Sequence, residues 1–379
     1  MKIGTLSLNI NTDDLNYGAM LHSWAFAAFL EKQGLSDDVE IIDYTTPQLE
    51  QFNRKHPIIS YIKMHRWKSA VKLMLSANSF KKRLKRFDEF VNKNMKTSEN
   101  SYTQKQLSEE NLKYDCVICE SDVIWSPRFF YGKFDETFFL ALKSMEDKKK
   151  IVYAASTANA DFRDNELDSF KELIQYPDYV ACREIYGTKL IKECGRADVA
   201  TVADPVLLLD AEDYNKITAE RLIKEKYLLV YIPLNYDSRY QKAAHSYAEK
   251  HGLKVVEISY YIWNSFKHKV IPDATIEEFL SLIKNAEVIF TNSFHAVCFS
   301  CIFHRQFYAF VRKTGMKTKD LCERLGLTEN YMDVDNFHEC APIDFEEVDK
   351  KIKKERESSI AWLENAINGS KKERGGKYD

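Results

Sequence analysis

Residues 286–305 read AEVIFTNSFHAVCFSCIFHR. Val288 to Thr291 make a short β-branched and apolar run, Asn292 and Ser293 a polar corner, and Phe294 onward an apolar helix with His295 in its first turn. In an open parallel sheet, a strand that passes straight into a helix places its corner at the carboxyl edge, where ligands bind. The start of the helix adds unpaired N–H groups and a partial positive charge, which favour an anion. Asn292 and Ser293 are therefore candidate anion contacts and His295 a candidate proton donor. Taken alone, a histidine at a helix start is more often a cap or a packing residue, so its chemistry depends on what surrounds it in the chain.

Around this corner the pattern of strand followed by helix repeats. Strands are expected at Tyr227–Ile232, Lys254–Ile258, Val288–Phe290 and Phe307–Val311, alternating with helices near 238–251, 276–285, 294–304 and 318–325. An earlier set opens with a strand at Lys2–Ile10, a helix at Asn16–Gln33 closed by Gly34, and a strand at Val39–Tyr44. Further strands are expected at Tyr114–Cys119, Ile151–Ala155, Tyr179–Cys182 and Val199–Ala203. This alternation predicts an α/β protein of two Rossmann-like doubly wound domains facing a cleft. The first is expected over 1–212 with a basic helical insertion near 58–93, and the second over 213–345. A charged helix over 346–370 and a Lys- and Gly-rich tail at 371–379, expected to be disordered, close the chain.

A polar group follows nearly every strand. Asn16 and Gly18 sit in the first strand-to-helix turn, and Gly18 allows close approach of a ligand to the backbone, although no GxGxxG fingerprint is present. Glu120-Ser121-Asp122 follows YDCVIC, Ser156 and Thr157 follow the next strand, Arg183 and Glu184 the next, and Asp204 the last. Arg183 offers a planar fork for a carboxylate or phosphate. Ser121 is a further candidate contact, and Asp122 and Glu184 are candidate proton acceptors. Singly, each has a plainer reading as a surface ion pair or a cap. Two domains presenting such groups to one cleft suit transfer chemistry on a small anionic donor without requiring a metal.

Composition narrows the class. With 379 residues, 45% hydrophobic and a net charge of −2, the chain reads as a soluble two-domain protein with no global signal for nucleic acid. The apolar run at the start is ended by Asn9, Asn11, Asp13 and Asp14, too early for a signal peptide, so a cytoplasmic location is expected. Eight cysteines then sit in a reducing compartment, and the CxxC pairs Cys116/Cys119 and Cys298/Cys301 read as core residues. Between Ile58 and Phe87, nine Lys and Arg residues appear with no acid, interleaved with Ile62, Trp67, Val71 and Met74. The plain reading is a solvated helical face. The sharper one is a basic amphipathic helical pair at the inner membrane surface.

In this order the motifs NYGAMLHSW, YDCVICESDVIW, ACREIYGTKLI, VADPVLLL and TNSFHAVCFS resemble the polysaccharide pyruvyl transferase family, over about residues 3–310. The resemblance implies a fold like that of GT-B glycosyltransferases. It also implies transfer of the enolpyruvyl group of phosphoenolpyruvate onto a sugar to form a ketal. Phosphoenolpyruvate would be a co-substrate, with no separate cofactor. The acceptor would be a sugar or a lipid-diphosphate-linked oligosaccharide of capsule, exopolysaccharide or cell-wall synthesis. His295 would match the histidine tied to donor binding and acid catalysis, and Arg183 the arginine on the donor's phosphate or carboxylate. Where members commonly read GSDQVW, this chain has Glu120 and Val123; His22 replaces a glutamine, and Ala296 a glycine. Glu120 would repel an anionic donor if it pointed into the site. A nucleotide-sugar glycosyltransferase and a non-catalytic glycan-binding descendant are the alternatives.

Overall fold

Parallel strands need helical crossovers, and this chain supplies them twice. The computed structural model describes residues 1–371 except 13–14, 51, 54–55, 128–131, 160, 234–236, 260–265 and 313–314. The first half runs β1 (Lys2–Leu6), α1 (Tyr17–Lys32), β2 (Asp38–Tyr44), α2 (Pro57–Lys63), α3 (Trp67–Met74), α4 (Ala77–Asn94), β3 (Thr97–Tyr102), α5 (Gln104–Glu109), β4 (Cys116–Glu120), β5 (Lys149–Ala155), α6 (Asp164–Leu173), β6 (Tyr179–Cys182), α7 (Ile185–Glu193) and β7 (Ala200–Thr201). Its seven strands lie in the order β3-β2-β1-β4-β5-β6-β7, all parallel.

After α8 (Ala211–Asn215) come β8 (Tyr227–Tyr231), α9 (Ser238–His251), β9 (Lys254–Ile258), β10 (Lys269–Ile271), α10 (Ile276–Lys284), β11 (Val288–Thr291), α11 (Phe294–Ile302), β12 (Gln306–Phe310), α12 (Met316–Leu325), β13 (Tyr331–Met332) and α13 (Phe345–Asn368). The second sheet is parallel in the order β10-β9-β8-β11-β12-β13. In each sheet the order reverses beside the first strand of its half, between β1 and β4 and between β8 and β11. Those are the switch points at which ligands bind in such folds.

Helix α1 is apolar nearly all round because it is covered on nearly all sides. Tyr17 stacks on Phe279 of the second domain at 4.4 Å and donates to the Ala274 carbonyl at 2.9 Å. One apolar cluster runs from Ile3 and Phe26 through Tyr17 to Phe279 and Phe299, so the seam between the sheets is packed core. Helix α13 returns to the first domain. Ser359 Oγ accepts from the Ala203 N–H, Arg356 donates to the Leu207 and Leu209 carbonyls, and Trp362 packs on Tyr153.

The basic insertion is three helices, α2 to α4, where a pair was expected. Cys116 and Cys119 fall into different apolar clusters on opposite faces of the sheet, as their spacing on a strand requires. Residues 372–379, most of the tail expected to be disordered, lie outside the described residues.

Candidate active site

At the end of β4 the chain turns through two consecutive left-handed residues, Ser121 (φ 50°) and Asp122 (φ 55°). Such conformations cost about 1–3 kcal/mol each in non-glycine residues and persist where surroundings hold them. Here the Ser121 N–H donates to the Tyr153 carbonyl, the Asp122 carbonyl accepts from the Ser156 N–H, and Asp122 Oδ1 accepts from the Val123 N–H. Trp125, fully buried, fixes the turn through its indole N–H to the Phe138 carbonyl. Glu120 itself ends the extended strand, so the glycine usual there in the family would not be needed for its backbone freedom.

Arg183 follows β6 and is 1% exposed. Its Nε donates to Glu184 Oε1 at 3.0 Å, and its Nη1 to Asp204 Oδ2 at 2.7 Å and Ser121 Oγ at 3.1 Å. Nη2 is buried with no hydrogen-bond partner, 3.8 Å from Asp122 Oδ1. The guanidinium also lies over the Phe294 ring at 4.6 Å, which fixes its plane across the seam. Burial works against the Asp204 carboxylate, but Arg183 and the nearby imidazoles outweigh it and hold the group well below the usual carboxylate range. Burial likewise opposes Asp122, and Lys317 and Arg183 bring it below its ordinary value, so it is ionised at neutral pH.

His295 enters from the second domain. Ser293 caps α11, its Oγ accepting from the Ala296 N–H, and this sets His295 in the first turn. The imidazole is 5% exposed, its Nε2 has no hydrogen-bond partner, and that atom lies 3.9 Å from Asp204 Oδ1, too far for a hydrogen bond. Burial lowers its pKa to about 3, more than the Asp204 charge raises it, so the ring is neutral at neutral pH. The proton expected from the sequence is therefore not carried by the imidazole among these protein neighbours alone.

Gly18 explains how the ring fits. A β-carbon there would lie 2.0 Å from His295 Nδ1. The space above Gly18, read from the sequence as room for a ligand, is filled by the imidazole. Asn16 caps α1, with its side-chain oxygen accepting from the Gly18 N–H at 2.9 Å. Asn292 is 1% exposed in the corner between β11 and α11.

Behind His295 two of the four departures from the family pattern, His22 and Glu120, touch each other. His22 Nδ1 lies 2.8 Å from Glu120 Oε2, and Ser23 Oγ donates to Glu120 Oε1 at 2.5 Å. Asn9 in turn donates to Ser23 Oγ at 2.9 Å. His22 and Glu120 are both fully buried. Burial lifts the Glu120 carboxyl and lowers His22, while each partner's charge acts the other way and leaves His22 above its ordinary value. Glu120 also ends above its ordinary value; Ser23 donates to its Oε1, and on that bond and the upward shift of His22 we assign the pair as carboxylate and imidazolium, with His22 Nε2 buried and without a hydrogen-bond partner. Glu120 therefore faces His22 and Ser23. The His22 ring stacks on His295 with centroids 5.8 Å apart.

The structure thus gathers Ser121, Asp122, Arg183, Glu184, Asp204 and His295 at the seam. Glu184, expected as a proton acceptor, is 1% exposed and lies against the Arg183 Nε and the Cys182 thiol. Burial raises its pKa. The sequence marks His22 only as a departure from the family pattern and does not single out Ser23 or Lys317. Lys317 Nζ lies 4.0 Å from Asp122 Oδ1 and 5.8 Å from the Phe294 ring, and burial lowers its pKa to about 8. The signal for it was present, since it follows β12, the strand beside β11, at the same sheet edge. Among the described residues no group of three or more His, Cys, Asp or Glu is placed to hold a metal ion.

Similarity to known proteins agrees with this architecture. A crystal structure of UDP-N-acetylglucosamine 2-epimerase superposes with a TM-score of 0.51 at 12% identity, covering 100% of this chain and 99% of that one. UDP-GlcNAc 2-epimerase from Methanocaldococcus jannaschii gives 0.49 at 13% identity, covering 98% and 94%. Acinetobacter baumannii MurG gives 0.46 at 9%, covering 98% and 100%. At 12% identity the likeness to the first of these is one of fold alone, two parallel-sheet α/β domains of the GT-B kind. No curated protein matches the sequence. The polysaccharide pyruvyl transferase family matches residues 16–314, from the cap of α1 past the end of β12, and the chain belongs to that family of transferases.

Proposed function

We propose that the seam binds phosphoenolpyruvate and that the protein transfers its enolpyruvyl group to a sugar of a polysaccharide or lipid-linked glycan precursor, forming a pyruvate ketal. The observation that carries this reading is the convergence of buried groups without hydrogen-bond partners, Arg183 Nη2 and His295 Nε2, beside Lys317. A buried donor left unpaired is costly, and an anionic ligand would satisfy it. Arg183 would take the donor's phosphate or carboxylate, Lys317 would add charge, and the start of α11 with Asn292 and Ser293 would complete the anion site.

The negative charge of the donor offsets the burial that keeps His295 neutral, so binding would load it with a proton. His295 then protonates the donor's methylene carbon, worth about 10² to 10⁴ in rate, and C2 becomes electrophilic. A sugar hydroxyl attacks C2 as Asp122 accepts its proton. The C2–oxygen bond to phosphate breaks and phosphate leaves with the proton taken by Asp122, while a second hydroxyl of the same sugar bonds to C2 and gives its proton back to His295, closing the ketal. Glu184 orients Arg183 in this scheme, and Asn16 and Gly18 shape the pocket for His295. Phosphoenolpyruvate is a co-substrate, and these steps call for no further cofactor.

An acceptor carried on a lipid would be met at the cytoplasmic membrane face, and the basic stretch 58–90 suits that contact. No helix among the described residues is long and apolar enough to cross a membrane. Incubation with phosphoenolpyruvate and a panel of free and lipid-diphosphate-linked hexosides tests the reading. We expect a gain of about 70 Da on one acceptor, pyruvate less water, with phosphate released only when His295 is present. No gain on any acceptor, with thermal stabilisation by a nucleotide sugar instead of phosphoenolpyruvate, would overturn it.

A further inference from the structure

The basic stretch separates into two parts. Arg83 is 2% exposed, donates to the Leu15 carbonyl and lies over the Tyr17 ring, while Arg86 reaches Asp273 and Glu278 of the second domain. These two hold the seam. Lys63, Lys68, Lys81, Lys82 and Lys85 are exposed, and Lys85 pairs with Glu89 of its own helix.

Beside these lysines lie more than half of the large hydrophobic side chains that the described residues leave exposed. Among the described residues eleven large hydrophobic side chains are exposed, and six of them fall between 59 and 75: Ile59, Ile62, Trp67, Val71, Met74 and Leu75. That concentration is not scatter. Trp67, Val71 and Met74 follow the i, i+4, i+7 spacing of one face of α3, each 57–60% exposed, so the helix turns an apolar stripe to solvent while Ala70 and Leu73 pack inward. Next to it runs a largely apolar groove between α2 and α4, about 1010 Å³, lined by Ile58, Ile59, Leu73, Phe80 and Leu84, with both Lys81/Lys85 and Asp88/Glu89 at its sides.

We infer that α2 and α3 dock on an anionic lipid bilayer. The α3 stripe enters the boundary between headgroups and acyl chains, the exposed lysines lie over the lipid phosphates, and the groove receives one hydrocarbon chain. Charge decides the occupant. Between Pro57 and Phe87 no acid appears, and of the nine Lys and Arg residues Lys63, Lys68, Lys81, Lys82 and Lys85 face solvent beside the apolar stripe, a joint cationic and apolar surface that suits an anionic bilayer, whereas a second copy of this chain has a net charge of only −2. The inference rests on the proposed function for its purpose, bringing the enzyme to a lipid-linked acceptor, but the docking is measured without any catalysis.

The test floats the full chain with vesicles of phosphatidylcholine, with and without phosphatidylglycerol. Association is expected with the anionic vesicles only and should weaken with salt. Lys81→Gln, Lys82→Gln and Lys85→Gln together should weaken it about 100-fold, at roughly fivefold per charge. Trp67→Glu with Val71→Glu should abolish it, and Trp67 fluorescence should be quenched by lipids brominated on the acyl chain. All these side chains are exposed, so unchanged thermal melts and unchanged pyruvylation of a soluble acceptor are expected from every variant. Loss of transfer to soluble sugars would instead point to the catalytic reading. Absence of association with anionic vesicles, or association indifferent to both sets of substitutions, would overturn the inference. So would lipid-free dimerisation that Trp67→Glu abolishes, which would give this face to a second copy.

Discussion

His22 and His295 stack on each other across the domain seam, equally sheltered from solvent, and their surroundings drive them in opposite directions. His22 meets the Glu120 carboxylate at 2.8 Å, and that charge raises its pKa above the ordinary value in spite of burial. His295 meets no hydrogen-bonding partner at Nε2 and is held neutral. Burial is common to both and discourages charge in both. What differs is the committed anion. The difference separates a histidine paired with a carboxylate inside the fold from one that has no such pair, as the proposed donor site requires, and it can be broken or sharpened experimentally.

The largest effect should come from His295→Gln, which is expected to reduce pyruvyl transfer by about 10² to 10⁴ while leaving the melting curve intact or raised. If His22→Gln costs more in kcat than His295→Gln, the two roles are reversed. Next comes the structural pair. His22→Gln strands a buried carboxylate and should lower unfolding free energy by about 3–5 kcal/mol in denaturant titration. Combining it with Glu120→Gly, which returns both positions to the family's usual residues, should recover most of that loss. Additive losses would mean that the pair does not act as a unit.

A smaller effect is expected from Gly18→Ala. Its methyl group would collide with the His295 ring at a distance no contact allows, so the imidazole must move, and a displacement near 1 Å costs about 10² in rate. Activity should fall without loss of phosphoenolpyruvate binding through Arg183.

The last effect, smallest when read one pH unit at a time, concerns pH. The unfolded chain binds a proton on this imidazole below about 6.5, whereas the folded chain does so only near 3. His295 therefore lowers stability as pH falls from 6.5 towards 3, by up to about 1.4 kcal/mol per pH unit, and His295→Gln should flatten that limb. His22 has the opposite sign, since its contribution is complete below 6.5 and is lost as pH rises through its higher folded value. Donor binding should also take up protons, seen as a dependence of the calorimetric heat on buffer ionisation. No uptake near neutral pH would mean that His295 remains neutral in the complex.

Much of this was legible in the sequence because parallel-sheet strands announce themselves as apolar runs and because ligand groups follow their carboxyl ends. Arg183, Asp122, Asp204 and His295 were found that way, and the seam brings them together. The strands that escaped notice, β3, β10 and β13, are edges, short or polar, with no two-sided burial to mark them. The pairing of His22 with Glu120 could not be read because the two are 98 residues apart and only the β1–β4 adjacency brings them together. Each looked like an isolated departure from a pattern, and the fold makes them a single compensated change.

The return of α13 to the first domain has a mechanical consequence. The polypeptide passes between the domains twice, once between β7 and β8 and again into α13, whose Arg356 and Ser359 grip the 203–209 segment close to the first passage. Two neighbouring tethers permit rotation about the line joining them and oppose twist or sliding. If the seam opens to admit substrate, it should therefore open as a book does along its spine, with Arg183 and His295 on facing pages.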